Sequence, residues 1–575
     1  MRSFQRNAGY VLQRDVLLAS ATVKEAITLC ALLKLPKQLP KSEKLERVKD
    51  ILRELELETC QHTLIGDDMQ GIKGISGGQR RRVSVGMELV KDPAVLFLDE
   101  PTSGLDSEIA GSLMELLVTL ARRGRTVVVT IHQPNSLITA LFDDFMLLAG
   151  GEMVYGGPWA GAVGAFESVG CSCPQYMNPS DHFLAVLRDP EVNKALVQRQ
   201  SRQGWGGEGA LTMLVNQALG EAVKTPPAGP FAAGTWVPGS EPPGSKPART
   251  MSELMSVLSC TGLRAGDAEQ GAGEGRHRFG VLGRLSGSAS RKALVTQPPG
   301  ASAPMQVYLL ASRMVLMWVR SPTMLLSELS QYIFMAVFVG LMYLQVSDVL
   351  PSGPTDRVAS IWFSMAILSF TPSYTAVTVW DRERVLLRRE LQQGMYGPLS
   401  WYLARTLTVT PFQIVQTMLY AVITFFAVGY WASAARFFVY WGAFCMFALV
   451  SETIGMLAAL LTKNSTYAVL LLTFVLLLLL SFSGFIVSKV PVYFKWISKI
   501  SYLTYAFSGV VIDQFDGFTF HMSSGAPIPG TSIIPASVNN GLSVVANLMT
   551  LFGIWLGVRA IAYAALLAVV YLRIL

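Results

Sequence analysis

Two adjacent carboxylates, Asp99 and Glu100, close the apolar run 95–98 (VLFL), and a Ser-Gly-Gly-Gln turn at residues 76–79 opens the helical stretch before it. Paired acids at the end of a buried strand suit phosphate chemistry: one carboxylate fixes Mg²⁺ and its neighbour orients an attacking water. The turn supplies a second element of the same chemistry. Ser76, Gly77 and Gly78 leave backbone N–H groups bare at a helix start, where unpaired donors and the macrodipole favour a phosphate.

Taken in order, ISGGQRRRVSVG, LFLDEP, SGLD and TIHQP fill much of residues 75–134. This succession resembles the second half of an ABC-transporter ATPase domain, in the wording of the G subfamily, the white- and brown-type half-transporters. The resemblance implies an α/β domain of the P-loop NTPase fold, followed by an all-α transmembrane domain of six helices. It implies Glu100 and His132 as catalytic residues, His132 coming directly off the β-branched run 126–131 to reach a γ-phosphate. Ser76, Gly77, Gly78, Gln79 and Asp99 are then the residues that meet ATP, and Asp106 lies in a loop that contacts a second subunit. In GYVLQRD, Gln13 matches the family glutamine that senses nucleotide and contacts the membrane domain. Gln13 and Asp99 together would hold Mg²⁺ through nucleotide and water.

One part of that machinery is missing. The family carries a phosphate loop, GxxxxGK[ST], upstream of the Gln13 position, with backbone and lysine cradling the β- and γ-phosphates. No Gly-Lys dipeptide occurs in the sequence. The expectation is a partial ATPase domain over residues 1–195, beginning in mid-domain and lacking its first strands. Within it, Val23, Ile27, Leu29 and Leu33, then Val48, Ile51, Leu52 and Leu55, recur at helical spacing. Residues 108–122 predict a helix, and 142–157 a Gly-turned hairpin. Arg80, Arg81 and Arg82 read as a solvated helix face.

Composition demands a membrane. Of 575 residues, 51% are hydrophobic and only 15% charged, and the mean hydropathy is +0.40, too apolar for an ordinary soluble protein. The net charge of +7 is what basic residues at cytoplasmic helix ends produce, and no basic, aromatic-interleaved patch points to nucleic acid. Cys171 and Cys173 have no second pair to complete a zinc set. The N-terminal stretch lacks the apolar core of a signal peptide.

Residues 196–304 turn to Gly, Pro, Ser and Ala and predict a disordered linker, because such a segment buries too little apolar surface to offset its ordering entropy. The membrane domain is expected over 305–575. A connecting helix, 305–322, lies at the membrane surface with Arg313 and Arg320 toward the headgroups. Spans follow at about 324–346, 357–379, 404–430, 437–461, 467–488 and 547–572, each reaching the roughly 20 residues a bilayer core needs. The loop WDRERVLLRREL between the second and third spans then faces the cytoplasm, as its arginines require. Its resemblance to the family's coupling element implies that role for Glu383, Arg384, Arg388 and Arg389. Lys463 and Arg573 also fall inside, so the sequon at Asn464 is expected to stay unmodified. Within spans, Glu328 and Glu452 are costly enough to be functional candidates, and Phe363, Phe370, Phe474 and Phe482 are candidates for an apolar cavity.

The function expected is ATP-driven transport, as export, of a hydrophobic or amphipathic molecule by a homo- or heterodimer of half-transporters in the plasma membrane. The alternative is a non-hydrolysing membrane subunit that regulates a complete partner. A soluble ATPase with DNA-repair-like use of the same motifs is excluded by the spans.

Overall fold

The computed structural model describes residues 7–67, 71–132, 134–202, 300–487, 490–522 and 524–571. The chain divides into two compact units, Met1–Gly300 and Ala301–Leu575.

The first unit is built on a parallel three-stranded sheet in the order β1 (Ala8–Val11), β2 (Val95–Asp99), β3 (Thr126–Thr130). Between β1 and β2 the chain forms α1 (Val23–Lys34), α2 (Lys41–Glu54) and α3 (Gly77–Leu89). The apolar periodicity of 23–55 thus resolves into two helices, with Val23, Ile27, Leu33, Val48, Ile51 and Leu52 all buried. Thr22 and Glu25 make a reciprocal capping box that starts α1, satisfying donors that a helix start would otherwise leave unpaired. Helix α4 (Ser107–Arg122) returns the chain from β2 to β3. β3 is TVVVT, yet all five residues stay half-buried or exposed, because β3 closes the sheet and has no outer partner among the described residues.

Next comes the expected hairpin, as antiparallel β4 (Asp144–Ala149) and β5 (Glu152–Pro158). It packs with α5 (Trp159–Glu167), α6 (Pro179–Val186) and α7 (Pro190–Arg202) around Phe166 and Phe183, whose rings stack at 4.2 Å. Helix α7 corrects the linker boundary. It runs past residue 196, with Leu196 buried and the Gln200 Nε2 donating to the Gly156 carbonyl at 3.2 Å. The rest of the expected linker, from 203 to 299, lies outside the described residues.

The second unit is helical: α8 (Ala303–Arg320), α9 (Pro322–Met342), α10 (Ser352–Gln392), α11 (Pro398–Val428), α12 (Ala434–Leu461), α13 (Ser465–Ser481) and, after a segment that includes the helices Lys495–Ile500 and Tyr502–Phe515 and the antiparallel pair Thr519–His521 and Pro527–Pro529, α14 (Val544–Tyr571). Among the described residues four helices are long and apolar enough to cross a membrane: α9 over Leu325–Met342, α11, α12 and α14. Helix α13 is apolar but has 17 residues. Helix α10 is longer than a bilayer needs, at 41 residues, and its second half is charged. Here the sequence expectation is corrected: WDRERVLLRREL is the continuous end of α10, not a loop. The basic and acidic side chains that break its hydropathy are good helix formers.

Helices α10 and α12 approach closely because Gly455 has no side chain. A Cβ there would lie 2.2 Å from the Ser373 carbonyl oxygen, and the Ser373 hydroxyl donates to the Ser451 carbonyl at 2.6 Å. Of the four aromatic cavity candidates, Phe363 packs near Phe338 and Tyr343, Phe370 on Tyr374 and Phe482 on Phe494, while Phe474 is exposed.

Candidate functional site

The parallel register sets Asp99 beside Thr130, so the acids arrive at the carboxyl ends of the strands, where α/β sheets gather ligands. The Thr130 hydroxyl donates to Asp99 Oδ1 at 2.7 Å and accepts from the Glu100 N–H at 2.9 Å. Glu100 has φ +41°, a left-handed conformation that costs an L-residue about 1–2 kcal/mol. From the end of β1, the Gln13 Nε2 donates to Glu100 Oε2 at 2.6 Å. Tyr10 OH faces Asp99 Oδ2 at 3.5 Å, and burial, then the Asp99 charge, push its pKa above the ordinary phenol value. Gln13, Asp99 and Glu100 therefore come together as one hydrogen-bonded group. His132 is exposed two residues past Thr130 and stands outside that group.

The Ser-Gly-Gly-Gln turn forms a second group at the start of α3. Ser76 Oγ accepts from the Gln79 N–H at 3.3 Å and Gln79 Oε1 accepts from the Ser76 N–H at 3.1 Å. The Gln79 side chain is thus part of a capping box. A Cβ on Gly78 would lie 2.2 Å from Ile109 Cγ2, and one on Gly77 3.3 Å from Leu105 Cδ2. Asp106 caps α4 by accepting from the Ile109 N–H at 2.8 Å. The glycines therefore let the start of α3 rest directly on the 105–109 segment.

One reading of the arginines is overturned. Arg81 is 3% exposed, and its guanidinium grips the backbone behind Gln13 and Glu100; no periodicity of α3 marks it out. Arg82 points to Glu56 and Ser112 at 2.7 Å each.

The residues present fit the metal and water side of a nucleotide. Asp99, Glu100 and Gln13 offer oxygen donors of the kind Mg²⁺ takes, and the start of α3 suits a phosphate. They do not supply a cradle for a whole triphosphate.

The second unit carries its own charged cluster, in which Arg405, Arg559 and Glu390 are the members that the sequence did not mark out. Glu383 of α10 accepts from Arg405 Nη1 at 2.9 Å. Arg405 Nη2 meets Glu452 Oε1 at 3.2 Å, and Arg559 Nη2 meets Glu452 Oε2 at 2.8 Å. Four helices, α10, α11, α12 and α14, are joined through this line. Glu328 accepts from the Gln416 amide at 3.3 Å. Further along α10, Glu390 pairs with Arg313 at 2.5 Å and accepts from the Tyr396 hydroxyl. Arg313 is consequently withdrawn from solvent, with 9% of its side chain exposed, which corrects its expected place among headgroups. Arg384 donates to the Lys463 carbonyl at 2.5 Å, Arg389 is buried and Arg388 exposed. Arg573 lies outside the described residues. Cys171 and Cys173 are free thiols, as are Cys30, Cys60 and Cys445.

Comparison with known families resolves what this combination is. Residues 1–103 match the ABC transporter family, and residues 305–515 and 132–203 match ABC-2 type transporter families. The chain is 29% identical to ABC transporter G family member 22 of Arabidopsis thaliana, over 97% of this chain and 67% of that protein. The chain belongs to the G subfamily of ABC transporters. It is also 27% identical to the broad substrate specificity ATP-binding cassette transporter ABCG2 of Rattus norvegicus, over 100% of this chain and 82% of that protein. With Protein white of Ceratitis capitata it shares 28% identity, over 89% and 67%. Membership of the G subfamily makes this an integral membrane protein of the ATP-driven transport class. Its ATPase region precedes its helices, the order the sequence led one to expect.

Proposed function

We propose that this chain is one half of a dimeric exporter that hydrolyses ATP to move a hydrophobic or amphipathic molecule across the plasma membrane. The observation that carries this reading is the contact between Gln13 and Glu100 at 2.6 Å, beside Asp99, at the carboxyl ends of a parallel sheet. Glu100 is the group placed to accept a proton from an attacking water. Gln13, released from Glu100, would turn its amide oxygen to the metal, and Asp99, oriented by Thr130, would hold a metal-bound water. Mg²⁺, when bound with ATP, supplies neutralisation of the phosphate oxygens. Ser76, Gly77 and Gly78 would present the start of α3 to the nucleotide of the opposing subunit, with Asp106 and His132 at the same junction. Glu383, Arg384, Arg388 and Arg389 would carry the motion into the helices, the ATPase unit lying on the cytoplasmic side and six helices spanning the membrane.

The half-buried valines of β3, at a sheet edge with no partner among the described residues, support a further strand pairing there, since an open apolar edge is otherwise a liability. The second reading is a non-hydrolysing subunit that lends its α3 start to a complete partner.

One experiment separates the two. Phosphate release is measured for the purified chain alone, for the intact native protein with its mass determined, and for the chain co-assembled with a complete half-transporter. Glu100→Gln is compared in each. Glu100-dependent turnover by the native protein alone supports the first reading. Turnover that needs the partner and ignores Glu100 of this chain supports the second, and no turnover in any assembly overturns both.

A further inference from the structure

We infer that Arg81 is a positioning residue: a single guanidinium sets the backbone of Gln13 and the backbone of Glu100 against one another and so fixes the contact between their side chains. Arg81 Nη1 donates to the Leu12 carbonyl at 2.6 Å and to Asp15 Oδ1 at 3.1 Å. Its Nη2 donates to the Gln13 carbonyl at 2.6 Å and to the Glu100 carbonyl at 3.2 Å. Its Nε donates to the Pro101 carbonyl at 3.2 Å. A guanidinium has five N–H donors in a rigid fork, and here each has an acceptor.

The two carbonyls held by Nη2 belong to the residues whose side chains meet. Glu100 is therefore fixed from both sides of its left-handed backbone, its N–H by Thr130 and its carbonyl by Arg81 together with the Ser103 N–H at 3.1 Å. Arg81 touches no reacting group itself, and it sits on α3, the helix whose first turn carries Ser76, Gly77 and Gly78. A shift of α3 along its axis would thus move Gln13 relative to Glu100, which links the phosphate-facing helix start to the carboxylate behind it. Lysine, with three donors on a flexible stem, cannot reproduce the fork.

The catalytic half of this inference rests on the ATPase reading above; the geometric half does not. Amide hydrogen exchange of the full chain, in lipid nanodiscs and without nucleotide, is compared for wild type, Arg81→Gln, Arg81→Lys and Arg82→Gln. Both Arg81 variants are expected to exchange roughly tenfold faster over residues 12–16 and 100–103, the scale of one lost hydrogen bond to a charged group, with Arg82→Gln unchanged there. In an assembly that turns over ATP, both Arg81 variants should lower kcat by about a hundredfold, the scale of a misplaced catalytic group, with KM nearly constant. Unchanged exchange over 12–16 in folded Arg81→Gln protein overturns the inference, as does full activity of Arg81→Lys. Faster exchange with no ATP turnover by wild type in any assembly upholds the positioning of Gln13 and Glu100 and fails the ATPase reading alone.

Discussion

The amide of Gln13 and the carboxylate of Glu100, 87 positions apart in sequence, meet at 2.6 Å. In this arrangement the Glu100 carboxylate already has a donor. Removing the amide, by Gln13→Ala, should leave Glu100 free while weakening the sensing of Mg²⁺. The expected outcome is a higher Mg²⁺ requirement for ATP turnover, read as a rightward shift in a Mg²⁺ titration of phosphate release.

Glu100→Gln keeps the shape and the Gln13 contact but removes the group proposed above as the base. It should lower kcat by about 10²–10⁴-fold, the usual contribution of a general base, with nucleotide binding retained. Equilibrium binding of a fluorescent ATP analogue beside phosphate release separates the two effects.

Gly78→Ala should destabilise the ATPase unit through overpacking against Ile109, at about 1–3 kcal/mol. The double variant Gly78→Ala with Ile109→Ala should recover part of the loss in thermal midpoint. Failure of the second change to recover any stability would show that the glycine is needed for another reason.

Glu452→Gln leaves Arg559 without its carboxylate partner and Arg405 with Glu383 alone. Breaking a buried pair by removing one member costs about 3–5 kcal/mol, so surface expression should fall sharply. Adding Arg559→Gln removes the orphaned charge and should restore part of it, as measured by cell-surface labelling.

Burial lowers the pKa of Lys44 below its ordinary 10.5, so between the lowered value and 10.5 the unfolded chain binds more protons than the folded one. Stability contributed by this residue therefore rises with pH across that window, and the cost is fully present below it. Lys44→Met should flatten the rise in thermal midpoint between neutral pH and pH 10.5 relative to wild type.

The carboxylate pair and the start of α3 were legible in the sequence because each is a local pattern, a strand ending on acids or a glycine turn before a helix, whereas Gln13 was reached only through the family resemblance of GYVLQRD. Arg81 was not. Its neighbours in sequence are also arginines, and only tertiary contacts with Leu12 and Gln13, 69 and 68 residues away, decide which of the three is buried. The same holds for Arg405 and Arg559, which become intelligible only when helix packing brings Glu452 between them across 47 and 107 positions. The charged end of α10 misled for a different reason: hydropathy falls where a helix leaves the apolar layer, and that fall looks like a helix end.

The pairing of Glu452 with Arg559 also bears on the order of events during synthesis. Arg559 lies in α14, after every other member of the line, so for the 107 positions between them Glu452 has only Arg405, itself shared with Glu383. Over that interval the line holds two carboxylates, Glu383 and Glu452, against the one guanidinium of Arg405. A chain released before residue 559 would carry that imbalance permanently, a mark by which unfinished copies differ chemically from finished ones.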